Sequence, residues 1–174
     1  MRKGAIACML VLALALTGCG SKEGYAEDGY AEGRMGEVLH TYFFDFTVNS
    51  AYVCGELGGY EPAEGSELLV AELTIKNTGR ESIPMWGEDF QAQWSDGDGE
   101  DDYSMPVKDG GLTDDQLPDE YDLAVDEERT GTLVFEVPAG KSDFSVSYWE
   151  YFENDTSGDM FFVYFTADRE SDAA

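Results

Sequence analysis

Between residues 41 and 166 the apolar side chains recur at every second position, the spacing of a half-buried β-strand and not of an amphipathic helix. Tyr42, Phe44, Phe46 and Val48 share one face of the first such segment, with Asp45 and Thr47 on the other. Leu69, Ala71, Leu73 and Ile75 repeat the pattern within 67–76, and Asn77-Thr78-Gly79 stops it with turn residues. Phe90, Ala92 and Trp94 alternate with Gln91 and Gln93. The segment 103–107 is shorter, and Pro106 marks it as an edge strand because proline cannot donate to a ladder. Leu133, Phe135 and Val137 alternate with Thr132, Val134 and Glu136 before Pro138-Ala139-Gly140, and Phe144, Val146 and Tyr148 share a face in the next segment. Residues 159–166 are apolar on nearly both faces and are expected in the interior of a sheet. The nearest approach to a helical period is 120–129, whose charges suit a loop equally well. About seven short antiparallel strands bury themselves best as two stacked sheets, which predicts an all-β fold, a β-sandwich, with a closed barrel as the competing architecture.

The first twenty residues have a different character. Met1-Arg2-Lys3 is a cationic start, and an apolar or small run extends from Ala5 to Leu16. Twelve such residues rise only about 18 Å as a helix, short of a hydrocarbon core of roughly 30 Å, so residues 1–18 are read as a signal peptide and not a spanning helix. The run ends in Leu16-Thr17-Gly18-Cys19, which resembles the lipobox of bacterial lipoproteins. That resemblance implies cleavage before Cys19, a diacylglycerol thioether on its sulfur, attachment to the membrane through that lipid, and an extracytoplasmic place in the bacterial cell envelope. Two or three acyl chains hold stably, so no basic patch is needed for anchoring. Of the remaining cysteines, Cys8 leaves with the signal peptide and Cys54 stays as a lone, half-buried apolar side chain.

Residues 19–36 contain five glycines and the near repeat Gly24-Tyr25-Ala26-Glu27, Gly29-Tyr30-Ala31-Glu32. This composition predicts a flexible acidic tether that reaches roughly 20–25 Å as a coil. The globular domain is expected over 37–167, and 168–174 as a disordered tail. Ten Lys and Arg face 37 Asp and Glu, a net charge of −27. Nucleic acid is therefore excluded as a partner, since its phosphates require clustered cations.

Four segments in this order, Phe44-Asp45-Phe46-Thr47-Val48, Leu73-Thr74-Ile75-Lys76-Asn77-Thr78-Gly79, Phe90 to the Asp96-Gly97-Asp98-Gly99 turn, and Thr130-Gly131-Thr132-Leu133-Val134-Phe135-Glu136-Val137-Pro138, resemble a widespread family of bacterial lipoproteins. Members of that family carry an uncharacterised immunoglobulin-like domain similar in fold to a secreted mycobacterial immunoprotective antigen. The resemblance covers roughly 38–166 and departs at Val125-Asp126-Glu127-Glu128, where Pro-Gly is usual. It implies an immunoglobulin-like β-sandwich and no catalytic residues.

The residues themselves point the same way. A Ser or Cys nucleophile needs a nearby histidine, and the single one, His40, lies beside no glycine-bracketed serine. The chain is read as no enzyme and as needing no cofactor; a carboxylate-pair hydrolase remains a remote alternative, because nothing separates a catalytic pair from 37 solvated acids. Asp96, Asp98 and Asp101, in Asp96-Gly97-Asp98-Gly99-Glu100-Asp101-Asp102, form a weak candidate for Ca²⁺. The glycine required at the sixth position and the closing glutamate are missing, and Asp-Gly is equally a tight-turn pair. Trp86, Trp149, Tyr151 and Phe152 are candidates for an exposed binding face, with core packing as the alternative. The expected partner is an envelope or extracellular protein, peptide or glycan; the alternative is a Ca²⁺-dependent stability or adhesion module on the acidic loop.

Overall fold

The computed structural model describes residues 23–95, 101–108, 111–152 and 154–170. Twelve strands pair in the order β1 (Tyr30–Arg34), β2 (Leu39–His40), β3 (Phe44–Cys54), β4 (Ser66–Asn77), β5 (Ile83–Trp86), β6 (Phe90–Ser95), β7 (Asp101–Ser104), β8 (Glu120–Leu123), β9 (Glu128–Pro138), β10 (Asp143–Tyr151), β11 (Ser157–Thr166) and β12 (Asp168–Arg169). A five-stranded sheet runs β1-β11-β10-β6-β7, a second sheet runs β12-β3-β4-β9 with β2 on β3, and β5 and β8 form a small ribbon. The fold is a β-sandwich, as the alternation requires.

The core lies between the two large sheets. Phe44, Phe46 and Val48 of β3, Leu69, Leu73 and Ile75 of β4, and Leu133, Phe135 and Val137 of β9 face Phe90 and Ala92 of β6, Phe144, Val146 and Tyr148 of β10, and Phe161 and Val163 of β11. The aromatic centre is interlocked: Phe44 lies 4.7 Å from Tyr148, and Phe46 lies 5.5 Å from Phe90. Register shifts on β3 between Val48 and Ser50, so Ala51 and Val53 return to the core where strict alternation would send Ser50 and Tyr52. At one pole Glu150, only 3% exposed, accepts hydrogen bonds from the amides of Tyr42 (2.7 Å) and Asp159 (3.0 Å) and ties the entry to β3 to the hairpin of β10 and β11.

Two boundaries expected from composition move. Much of the segment read as a flexible tether is folded: Tyr25 bridges His40, and β1 lies parallel to β11 from Tyr30↔Met160 to Arg34↔Tyr164. The inward positions of β1 are Ala31 and Gly33, too small to give an apolar signal yet sized for close approach to the sheet below. Gly24 has φ +82°, and a Cβ there would stand 2.2 Å from the Val38 carbonyl oxygen, so the chain enters the fold through a position only glycine can hold. The tail read as disordered begins with β12, parallel to β3, where Arg169 donates to both oxygens of Glu67 at 2.9 and 3.2 Å. Tyr42, expected to share the core face of its strand, is 74% exposed because β3 begins only at Phe44.

Candidate functional site

The outer face of the five-stranded sheet holds a trough. Along β10 the outward positions are Asp143, Ser145, Ser147 and Trp149, since Phe144, Val146 and Tyr148 point into the core. Register sets Ser147 between Phe162 of β11 and Gln91 of β6, and Ser145 between Tyr164 and Gln93. The two serines are 4% and 6% exposed although they lie on the solvent side, because the larger side chains of both neighbouring strands stand above them. The floor is closed at one end by Asp143, which accepts a hydrogen bond from the Thr166 hydroxyl at 2.7 Å, and at the other by Trp149, opposite Met160. The Ser145 end widens into a recess of about 450 Å³ bordered by Arg34, Gln93, Ser95, Asp143, Tyr164 and Thr166.

The wall on the β11 side is aromatic. Phe162 and Tyr164 are stacked, with ring centroids 6.1 Å apart and planes 15° from parallel. Tyr30 of β1 packs on Phe162 at 5.3 Å and shares a 3.1 Å hydrogen bond with the Tyr164 hydroxyl. Partial burial, and then that shared hydrogen bond, push the Tyr30 phenol well above its ordinary range, so it stays protonated at neutral pH. The Arg34 guanidinium lies over the Tyr164 ring at 5.3 Å and pairs with no carboxylate among the described residues, in a chain that carries 37 acids. The wall on the β6 side is made of planar amides: neither Gln91 nor Gln93 commits its side chain to another described residue. Tyr103 of β7, across from Gln93, extends that rim and is well exposed.

The sequence-predicted aromatics fall at the surface and only partly together. Trp149 and Tyr151 are exposed and lie 5.7 Å apart, Trp149 at the end of the trough. Trp86 is exposed on β5, outside the five-stranded sheet, and makes no ring contact with either among the described residues. Phe152 joins Tyr42 and Phe43 in a separate cluster with centroids 5.3 and 5.4 Å away. Cys19, Asp96 and Asp98 lie outside the described residues. Asp101 opens β7 opposite Ser95, the flank of a hairpin, and among the described residues no group of three or more His, Cys, Asp or Glu side chains is placed to hold a metal ion.

His40 is committed to structure: its Nδ1 lies 2.8 Å from Asp45, and Tyr25 stacks on its ring at 4.3 Å. Cys54 is buried, and burial pushes its thiol up, away from reactivity. One carboxyl is perturbed in the direction a general acid needs. Burial pushes Asp89 up to about 6 against the opposing effect of the hydrogen bond from the Trp86 amide. Asp89 borders neither the trough recess nor the recess around Glu32 and Glu37, so the perturbation belongs to the fold.

Reasoning from sequence missed Ser145, Ser147, Gln91, Gln93, Phe162, Tyr164 and Arg34. The available signal was that two polar-alternating strands, Gln-x-Gln and Ser-x-Ser, precede an aromatic strand. Only register shows that the three rows stand side by side.

The sequence matches, over residues 34–158, a family described as a domain of unknown function, DUF4352. The chain belongs to that family. No curated protein matches significantly. Among solved structures it is similar to a candidate lipoprotein, ycdA, from Bacillus subtilis, with a TM-score of 0.57 at 13% identity over 75% of this chain. This chain spans only 38% of ycdA. The yjhA protein of Bacillus subtilis is similar at a TM-score of 0.55 and 22% identity, covering 78% of this chain and 99% of its own. An uncharacterised β-sandwich protein of Clostridium difficile reaches 0.50 at 14% identity, covering 81% and 97%. At these identities the likeness is one of fold, and the family fold is a β-sandwich of uncharacterised role.

Proposed function

We propose that the protein is a lipid-anchored, extracytoplasmic and non-catalytic binding module, whose contact surface is the outer face of the five-stranded sheet. One observation carries this reading: Phe162 and Tyr164, with Trp149 across from Met160, form an aromatic border on an outer sheet face that no loop of the described chain covers. Such a border is unusual on a solvated antiparallel sheet, where outward positions are normally polar. The lipobox-like sequence ending at Cys19 supports the envelope location, and the candidate lipoprotein among the structural neighbours is in keeping with it.

The anchor is tested by growing cells with a radioactive fatty acid; label on the wild type and none on Cys19→Ala is expected, and equal label on both overturns it. The contact surface is tested by sedimenting the full chain carrying Cys19→Ala with detergent-washed envelope fragments. Trp149→Ala combined with Tyr164→Ala is expected to leave the protein in the supernatant. Unchanged sedimentation of that variant rejects this face.

A further inference from the structure

We infer that the trough on β10 is a binding site for a linear, extended, uncharged glycan chain, an inference that rests on the reading of this sheet face as the contact surface. The dimensions select against a helix. Neighbouring strands lie about 4.8 Å apart, so the walls on β11 and β6 stand roughly 10 Å apart across the serine floor, and side chains narrow that gap further. An α-helix with its side chains needs about 10–12 Å and an apolar floor; the floor here is hydroxyl.

The hydrogen bonding selects against an extended peptide. β10 is paired on both sides, with β11 and with β6, so its backbone groups are spent and cannot extend the sheet to a further strand. A peptide laid along the trough would leave most of its own amides unmatched, at a cost for each. A saccharide has no such requirement. Its ring presents polarised C–H groups that suit the electron-rich face of Tyr164 or Phe162, while its edge hydroxyls suit the planar amides of Gln91 and Gln93. These two kinds of group stand on opposite walls with only serine between them.

Electrostatics fixes the absence of charge. A net charge of −27 repels polyphosphate and uronate chains, and the carboxylate of Asp143 closes one end. The Arg34 guanidinium, held by Tyr164 and free of carboxylates among the described residues, remains available to donate to neutral hydroxyl oxygens. From Asp143 to Trp149 the floor follows one extended strand for about 20 Å, which suits a β-1,4-linked ribbon better than a branched or coiled chain.

The test uses the full chain with two neutral probes, the β-1,4-linked hexamers of glucose and of N-acetylglucosamine, followed by isothermal titration and by quenching of tryptophan fluorescence. Binding of at least one hexamer is expected. Tyr164→Ala and Gln93→Ala should each weaken it at least tenfold, Ser145→Trp should abolish it by filling the floor, and Trp86→Ala, off the sheet, should leave it unchanged. A melting curve of each variant separates loss of the site from loss of the fold, and Gln93→Ala carries the test if the tryptophan variant does not fold. Failure of both hexamers to bind overturns the inference, as does binding that survives Tyr164→Ala and Gln93→Ala. If neither hexamer binds while Trp149→Ala with Tyr164→Ala still abolishes envelope sedimentation, the glycan fails and the contact surface stands. Release of sedimented protein by protease treatment of the fragments, with polysaccharide digestion ineffective, likewise overturns the glycan.

Discussion

The two sheets treat their outer faces in opposite ways. Behind the sheet of β3, β4 and β9, Cys54, Leu68, Val70 and Val134 form a second apolar cluster, and the chain roofs it with its own loops. Leu57 and Tyr60 come from the loop after β3, and Val107 and Leu112 from the segment after β7. The roof is fastened: the Val107 amide donates to the Val134 carbonyl at 2.7 Å, and Glu136 accepts from the Tyr60 hydroxyl and the Ala63 amide. Behind the other sheet, Phe162, Tyr164 and Trp149 receive no such cover from the described chain. The described chain buries one outer face and leaves the other open, which is why the open one is read as a place for something else.

That contrast is sharpest at Leu68, buried under the roof. Leu68→Ala is expected to lower stability by about 2–4 kcal/mol through a dry cavity, measured by urea denaturation. A loss below ~1 kcal/mol would mean that the roof is loose and the two faces differ little.

Next in size is the pole shared by both sheets. Glu150→Ala strands the amides of Tyr42 and Asp159, and a loss of about 2–3 kcal/mol is expected, with Glu150→Gln recovering part of it. Equal losses for the two variants would show that shape matters there and hydrogen bonding does not.

A third measurement reads the turn Gly87–Asp89 that joins the ribbon to β6. Asp89 has a folded-state pKa of about 6, above the ordinary value of about 3.9 for an unfolded aspartate. The folded protein therefore holds more protons than the unfolded one between these values, and stability falls as pH rises through that window. Asp89→Asn should gain on the order of 1–2 kcal/mol at pH 7.5 and little at pH 4, read from melting curves at both. A gain independent of pH would refute the assignment.

Smallest of all is the expected stability effect on the open face: Tyr164→Ala, which loses surface contacts with Tyr30, Phe162 and Arg34, should cost about 1 kcal/mol or less while removing ligand. A loss as large as that of Leu68→Ala would make the aromatic border a structural element and dissolve the comparison.

Six longer strands, β3, β4, β6, β9, β10 and β11, were legible from their apolar pattern, because Phe44, Leu73, Phe135 and their like are large enough to mark it. The segment read at 103–107 meets β7 only at Tyr103 and Ser104, since pairing with β6 ends before Pro106. The five strands that escaped are two to five residues long and bury at most one large side chain each, Leu39 in β2, Met85 in β5 and Leu123 in β8, too few to mark a period; β1 buries only Ala31 and Gly33, and β12 nothing. β1, β2 and β12 form because longer neighbours offer them open edges, and β5 and β8 because the fold brings them side by side, properties of the assembled structure and absent from any local window. The trough was hidden for the same reason. Phe162 and Tyr164 made β11 look apolar on both faces and hence interior, which is true of its position in the sheet and false of its outward row. Among the candidate residues, Trp149 is opposite in parity to Tyr148 and lies exposed, whereas Trp86 offers no such clue because its strand is too short to have one.

The docking of Tyr25 against His40 sets how far the domain travels from whatever holds Cys19. Tyr25 lies six positions after Cys19, so with an acylated Cys19 the leash would measure at most about 20 Å at full stretch. Anchored in that way, a body of this size would work within its own diameter of the bilayer, and its reach would be confined to material lying in the first layer above the headgroups. Lengthening the lead, and nothing else about the protein, would change what it can touch.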